Sequence, residues 1–176
     1  MEDNERRGLL IIYTGDGKGK TTAALGQAVR ARGWGMRVVM YQFIKSERLN
    51  TGEHRAASML GLEISAVGCG LTCRSPDLER DRNAARSGWE RCRITLADPH
   101  CDMVVMDELT YPIAYGWLDL KELIKAIRAR PPHLHVVITG RNAPDELIAA
   151  ADLVTVMQPV KHPHSIGMRP QKGVEY

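Results

Sequence analysis

The sequence lacks any apolar run that approaches the ~20 residues needed for a membrane-spanning helix. Residues 1–7 are rich in charge, and no apolar signal-peptide core follows them. From these two absences we expect a cytoplasmic protein. The formal net charge is only +3, the basic residues form no single stripe, and one Phe is available to stack on a base. Nonspecific binding to nucleic acid is therefore not expected.

The cysteine patterns that hold structural metals are missing as well. The four cysteines, at positions 69, 73, 92 and 101, include no Cys-x-x-Cys pair, and no paired histidines complete a zinc pattern. His162 and His164 lie close together, but an isolated His-x-His is more common at surfaces than in metal sites. We predict free thiols and no structural metal. No Ser/His/Asp or Cys/His group has the spacing of a nucleophilic catalytic motif either.

What the sequence does contain is a glycine-rich loop between an apolar strand and a helix. Residues 9–13 are apolar, residues 14–22 read Thr-Gly-Asp-Gly-Lys-Gly-Lys-Thr-Thr, and residues 23–30 have helical character. This order is typical of a loop whose backbone N–H groups surround the phosphates of a nucleoside triphosphate. The positive end of the helix dipole also favours an anion at this place.

The match to the phosphate-loop pattern G-x-x-x-x-G-K-[ST] is incomplete, because Thr14 stands where the pattern has its first glycine. Lys20 is expected to neutralise the outer phosphates, and the Thr21 hydroxyl to ligate Mg²⁺. The predicted nucleotide-binding residues are Gly15, Asp16, Gly17, Lys18, Gly19, Lys20, Thr21 and Thr22.

Strand-like and helix-like segments alternate along the chain. The candidate strands, several of them continuous apolar runs, are 9–13, 37–43, 62–67, 103–106, 135–139 and 153–157. Helical patterns occupy 77–97 and 120–130, and a further helix opens at Pro144. This alternation predicts one doubly wound α/β domain over residues 1–176, with a mostly parallel sheet of about six strands and helices on both faces. Residues 1–7 are expected to be a flexible N-terminus, and the proline-rich residues 158–176 an extended C-terminal arm.

Two carboxylates, Asp107 and Glu108, directly follow the fourth strand. The carboxyl edge of a parallel sheet is where ligands bind, so this pair is expected to hold Mg²⁺ beside the phosphate loop, directly or through water. Spacing alone leaves open which carboxylate touches the metal. Arg141 and Lys45 also follow strands, and each is either a phosphate contact or a surface residue.

Five segments, taken together, resemble the ATP:corrinoid adenosyltransferases of the CobA/BtuR type. They occur in the same order as in that family and span nearly the whole chain from about residue 8. They are residues 13–22, 42–45 (Gln-Phe-Ile-Lys), 106–111 (Met-Asp-Glu-Leu-Thr-Tyr), 138–141 (Ile-Thr-Gly-Arg) and 159–162 (Pro-Val-Lys-His). A phosphate loop with threonine in its first position is itself a trait of the family.

The resemblance implies a RecA-like P-loop domain, usually homodimeric, that transfers the adenosyl group of ATP to a corrinoid. Reduced Co(I) attacks C5′ of ATP, which lies reversed in the loop, and triphosphate leaves. The expected cofactors are ATP and Mg²⁺, the corrinoid is the substrate, and a flavoprotein reductase is the expected partner. By motif, Lys20, Thr21 and Glu108 are the catalytic residues, and Thr21, Glu108 and Asp107 hold the metal. Arg141 is an expected ATP contact.

One loop departs from the family. Members commonly have Gly-Phe-Thr-Trp after the third strand, where aromatic side chains pack near the lower face of the corrin. Here the residues at 70–73 read Gly-Leu-Thr-Cys, so the corrinoid contacts are assigned to Leu71 and Cys73. Two alternatives accompany the main hypothesis. The chain is a P-loop kinase or ATPase that makes ADP, with Asp107 or Glu108 as the base, or, given the changes at 71 and 73, it is a corrinoid-binding paralogue with little turnover.

Overall fold

The computed structural model describes residues 7–46, 51–70 and 77–175 of the chain. Six strands form one sheet in the order β3-β2-β4-β5-β1-β6, and every neighbouring pair is parallel. The strands are β1 Leu10–Thr14, β2 Val38–Gln42, β3 Glu63–Ala66, β4 Met103–Asp107, β5 His135–Thr139 and β6 Leu153–Val156. The predicted parallel sheet of six strands is confirmed.

In the described ranges, six α-helices connect these strands. They are α1 Lys20–Gly33, α2 Gly52–Leu60, α3 Leu78–Leu96, α4 Thr110–Ala114, α5 Leu120–Arg128 and α6 Asp145–Ala150. Asp77 and Asp119 cap α3 and α5, because their carboxylates accept the N–H groups of Arg80 and Glu122. The C-terminal arm contains a 3₁₀ turn, Pro163–Ile166, within the segment expected to be extended. No helix in the described ranges has the length and apolarity to cross a membrane.

Both faces of the sheet are covered, which explains why the central strands are apolar without interruption. On one face, Ala24, Ala28 and Ala31 of α1 pack against the sheet. On the other face, the larger side chains of α3, α5 and α6 fill the core, including Trp89, Leu96, Leu123, Ile127 and Leu147. The small alanine side chains allow α1 to lie close to the sheet. The loop before α1 directly follows β1, so it lies at the carboxyl edge of the sheet.

The turn after β5 requires glycine at position 140, where φ is +147° and an added Cβ would lie 2.0 Å from Thr110 Oγ1. We expect Gly140→Ala to destabilise the protein by roughly 2–3 kcal/mol, through backbone strain and overpacking. Gly26→Ala in α1 is the matched control, because a Cβ there meets nothing within 4 Å and alanine stabilises a helix interior by about 0.5–1 kcal/mol. Urea unfolding measures both changes, and equal effects of the two variants would contradict the packing described here.

Candidate functional site

The phosphate loop connects β1 to α1 and is shaped by two glycines with left-handed backbones. Gly15 has φ +95°, Gly19 has φ +118°, and a Cβ at Gly15 would lie 2.4 Å from the carbonyl oxygen of Met157. No side chain among the residues that the structure describes caps the first turn of α1, so its backbone N–H groups are available to an anion. Thr14, which breaks the usual pattern, is buried, and its hydroxyl accepts the N–H of Ala143. The threonine thus ties the loop to the turn that follows β5.

The Lys20 side chain is folded beneath the loop. Its ammonium donates to the carbonyl oxygens of Gly15 and Gly17, both at 2.7 Å, and the residue is 7% exposed. Burial lowers the pKa of Lys20, while Glu108, Asp16 and Asp107 raise it in part. A third ammonium hydrogen remains for a ligand, so this lysine both shapes the loop and can meet a phosphate.

Asp107 is the centre of a buried hydrogen-bond network that joins four elements. It is 0% exposed, and its Oδ1 accepts the hydroxyls of Thr21 at 2.8 Å and Thr139 at 2.7 Å. Its Oδ2 accepts Gln42 Nε2 at 3.3 Å. With both oxygens engaged, Asp107 is built to orient Thr21, whose hydroxyl donates its hydrogen and keeps its lone pairs for a cation.

Glu108 differs from Asp107 in its backbone conformation and in its hydrogen bonds. Its φ is +58°, rare for a residue with a side chain, and its backbone N–H donates to Thr139 Oγ1 at 2.9 Å. Among the described residues its buried Oε2 has no hydrogen-bond partner. Burial, and then the charge of Asp107, raise the pKa of Glu108 to about 7. A strained backbone and an orphaned carboxylate oxygen fit a divalent cation, which would supply the missing partner.

A cavity of about 600 Å³ opens above these residues. Four positive side chains line it, namely Lys18, Lys20, Lys45 and Arg141, and so do four carboxylates, those of Asp16, Glu53, Glu108 and Glu175. A guanidinium nitrogen of Arg141 lies 3.5 Å from a carboxylate oxygen of Asp16, so Arg141 is at the site. Lys45 is there too, paired with Glu53 of α2, and burial lowers its pKa. The positive side chains suit a polyphosphate.

The sequence did not indicate several residues that the fold brings to this cavity. Glu53, His162 and Glu175 line it, and Glu175 pairs with Lys18 at 3.0 Å. Thr139 and Gln42 support Asp107 from the ends of their strands. Both lie in segments that carry the family resemblance, and each is a polar residue at the end of an apolar strand, but neither was assigned a role. The two predicted corrinoid contacts, Leu71 and Cys73, lie outside the described residues.

Comparison with known proteins adds independent information. A family model described as ATP:corrinoid adenosyltransferase BtuR/CobO/CobP matches residues 6–176. A corrinoid adenosyltransferase CobA of Salmonella typhimurium is 44% identical over 98% of this chain and 87% of its own length. One from Pseudomonas aeruginosa is 41% identical over 98% of this chain and 85% of its own. The flagellar accessory protein FlaH of Methanocaldococcus jannaschii shares the fold, with a TM-score of 0.60 over 86% of this chain and 71% of that one, at 12% identity.

Proposed function

This chain belongs to the ATP:corrinoid adenosyltransferase family, and we propose that it transfers the 5′-deoxyadenosyl group of ATP to Co(I) of a corrinoid, releasing triphosphate. The observation that supports this most is the pairing of a family match over residues 6–176 with a phosphate loop that carries a buried lysine. Two further features support it: the start of α1 has no side-chain cap within the described ranges, and the nearby Glu108 has an oxygen without a hydrogen-bond partner there, which is proposed to meet a cation.

The proposed roles of the residues follow from the chemistry of forming a bond between cobalt and C5′. Co(I) is a strong nucleophile, so attack on C5′ requires no protein base. The C5′–O bond breaks and its electron pair leaves with the triphosphate, so negative charge grows there in the transition state. Lys20 and the N–H groups of the loop lie where they would stabilise that charge. Arg141 is proposed as a further contact to the ATP.

Mg²⁺, when bound, neutralises phosphate charge. Thr21 and Glu108 are proposed as its ligands, because one presents free hydroxyl lone pairs and the other an unpartnered oxygen. Asp107 is proposed to act through water and through Thr21, since its own oxygens already accept three hydrogen bonds.

An anaerobic assay with ATP, Mg²⁺ and a chemically reduced Co(I) corrinoid tests the reaction. We expect a light-sensitive adenosyl-corrinoid to form with one equivalent of triphosphate. ADP in place of triphosphate would favour the kinase or ATPase alternative. Corrinoid binding without alkylation would favour the paralogue with little turnover.

By analogy with the family, we also propose that the chain works as a single-domain homodimer and receives Co(I) from a flavoprotein reductase. Leu71 and Cys73 are proposed to contact the corrin. If Cys73→Ser changes neither the corrinoid absorbance spectrum nor the rate, the contact assigned to Cys73 is wrong.

Thr139 links the two carboxylates, because a single buried hydroxyl donates to Asp107 and accepts the N–H of Glu108. We expect Thr139→Val, which removes the hydroxyl but little volume, to raise the Mg²⁺ concentration needed for ATP binding by about 10–100-fold. Thr139→Ser keeps the hydroxyl and is the matched control. Isothermal titration with Mg²⁺ at fixed ATP measures the effect, and similar values for the Ser and Val variants would remove Thr139 from the metal site.

A further inference from the structure

A second cavity, of about 470 Å³, lies between the end of β3 and helix α3. At Gly88, α3 lies close to the residue after β3, because an added Cβ there would lie 2.7 Å from Val67. The chain after β3 forms its other wall, held by hydrogen bonds from Gly68 N–H to the Lys45 carbonyl at 3.0 Å and from Gly70 N–H to the Ile44 carbonyl at 2.9 Å. We call this cavity the arginine groove.

Two arginines stand at the ends of the arginine groove. Arg80 and Arg91 are eleven residues apart on α3, about 16 Å at the helical rise, and share one face of the helix. Between them α3 presents only small side chains, Ala84, Ser87 and Gly88. No large side chain of α3 therefore fills the groove between the two arginines, and both guanidinium groups line the same cavity.

The two arginines have different surroundings. Hydrogen bonding to Cys69, and then the charges of Cys69, Asp81 and Asp77, raise the pKa of Arg80. Arg91 donates to Ser65 Oγ at 3.1 Å and lies 5.8 Å from the centre of the Tyr41 ring. Other arginines of α3 pair with carboxylates of their own helix: Arg82 with Glu79, and Arg93 with Glu90.

No carboxylate among the described residues lines the arginine groove, and neither Arg80 nor Arg91 has an ion pair there within the described ranges. Asp81 is buried on a different face of α3. Within the described ranges, the lining of the groove therefore combines two guanidinium groups with the hydroxyls of Ser46 and Ser87 and contains no carboxylate. Anions are the ligands that such a lining binds.

The arginine groove adjoins the nucleotide cavity. Lys45 lines the nucleotide cavity, and the next residue, Ser46, lines the groove. In the proposed reaction the cobalt faces C5′ of ATP, so the wide corrin ring would reach beyond the nucleotide cavity to the neighbouring surface. Corrinoids carry carboxylates or a phosphodiester at the periphery of this ring. We propose that Arg80 and Arg91 bind an anionic group at the periphery of the corrinoid, and so select among corrinoids. This inference rests on the proposed function.

Binding of three oxidised corrinoids tests the proposal, with ATP and Mg²⁺ present and no reductant. Cobyrinic acid carries carboxylates, cobalamin carries a phosphodiester, and cobinamide carries neither. We expect Arg80→Gln and Arg91→Gln to weaken the binding of at least one of the first two by about tenfold, the size of a charged hydrogen bond. Cobinamide and ATP should change by less than about twofold. Arg93→Gln, on another face of α3, is the matched control.

Each outcome decides the proposal. A loss confined to cobyrinic acid identifies a carboxylate, and a loss confined to cobalamin identifies the phosphodiester. Unchanged affinities for both anionic corrinoids, or an equal loss for cobinamide, would overturn the arginine groove as an anion site while the protein still adenosylates its substrate. If the wild-type protein binds none of the three, the proposed function fails and this inference fails with it. Arg80→Lys, which keeps the charge, is expected to retain part of the affinity and to exclude a folding defect.

Discussion

Replacement of Lys20 by alanine is expected to lower the rate of adenosyl transfer by at least ~100-fold, the loss typical of a buried donor that faces developing charge. Its ammonium lies beneath the phosphate loop, 2.7 Å from the Gly15 and Gly17 carbonyls. Since the negative charge of the triphosphate grows as the C5′–O bond breaks, the lysine should stabilise the transition state more than bound ATP. We therefore expect kcat to fall more than the affinity for ATP.

Single-turnover rates with reduced corrinoid, together with ATP titrations, separate these two effects. Lys121→Ala is the matched control, because Lys121 is an exposed lysine of α5 outside the cavity. An unchanged kcat with a raised KM for ATP would show that Lys20 only binds the ground state. Turnover near that of the wild type would remove the loop lysine from the mechanism.

Glu108→Gln is expected to have two opposite effects. It removes the charge that we assign to Mg²⁺, so the Mg²⁺ concentration for half-maximal ATP binding should rise at least ~tenfold. The same variant should stabilise the protein in the absence of metal and nucleotide, because Glu108 is a partly buried carboxylate whose buried Oε2 has no hydrogen-bond partner among the described residues. Both results are expected if the Glu108 charge is needed to bind Mg²⁺ and lowers the stability of the metal-free protein.

The pH dependence of stability follows from the direction of the pKa shift. Burial raises the pKa of Glu108 to about 7, above the value of about 4.3 in an unfolded chain. Between these values the folded state holds a proton that the unfolded state has released, so stability falls as the pH rises through this window. The gain from Glu108→Gln should thus be largest above pH 7, at several degrees in Tm, and small near pH 4.

Thermal unfolding at pH 5 and pH 8, without Mg²⁺ or ATP, measures this second effect. Glu90→Gln serves as the control, because Glu90 is an exposed carboxylate paired with Arg93. A lower Tm for Glu108→Gln than for wild type at pH 8 would contradict the assignment of an unfavourable buried charge. Unchanged Mg²⁺ dependence would reassign the metal to Asp107 or to water.

The order of strands and helices along the sequence, with the polar residues that follow each strand, predicted the sheet and most of the nucleotide site. In a parallel sheet every strand ends at the same edge, so the loop after β1, the carboxylates after β4 and Arg141 after β5 had to gather there. The apolar strands and the proline and aspartate signals at helix starts are local, and the structure agrees with them closely. Most boundaries shift by one to three residues. For example, β4 runs through Asp107, because Asp107 pairs with Gln42 in the β2–β4 register. The local patterns did not predict α2 and α4.

Which chemical groups meet at the carboxyl edge was predictable from the sequence, because apolar strands and their ends are visible in short segments. The roles of these groups depend on packing. Asp107 accepts three hydrogen bonds, whereas the adjacent carboxylate of Glu108 has one oxygen without a partner among the described residues. Glu175 reaches Lys18 from 157 positions away. Such contacts depend on how separate elements pack, and packing distances between remote segments are not written in any local pattern.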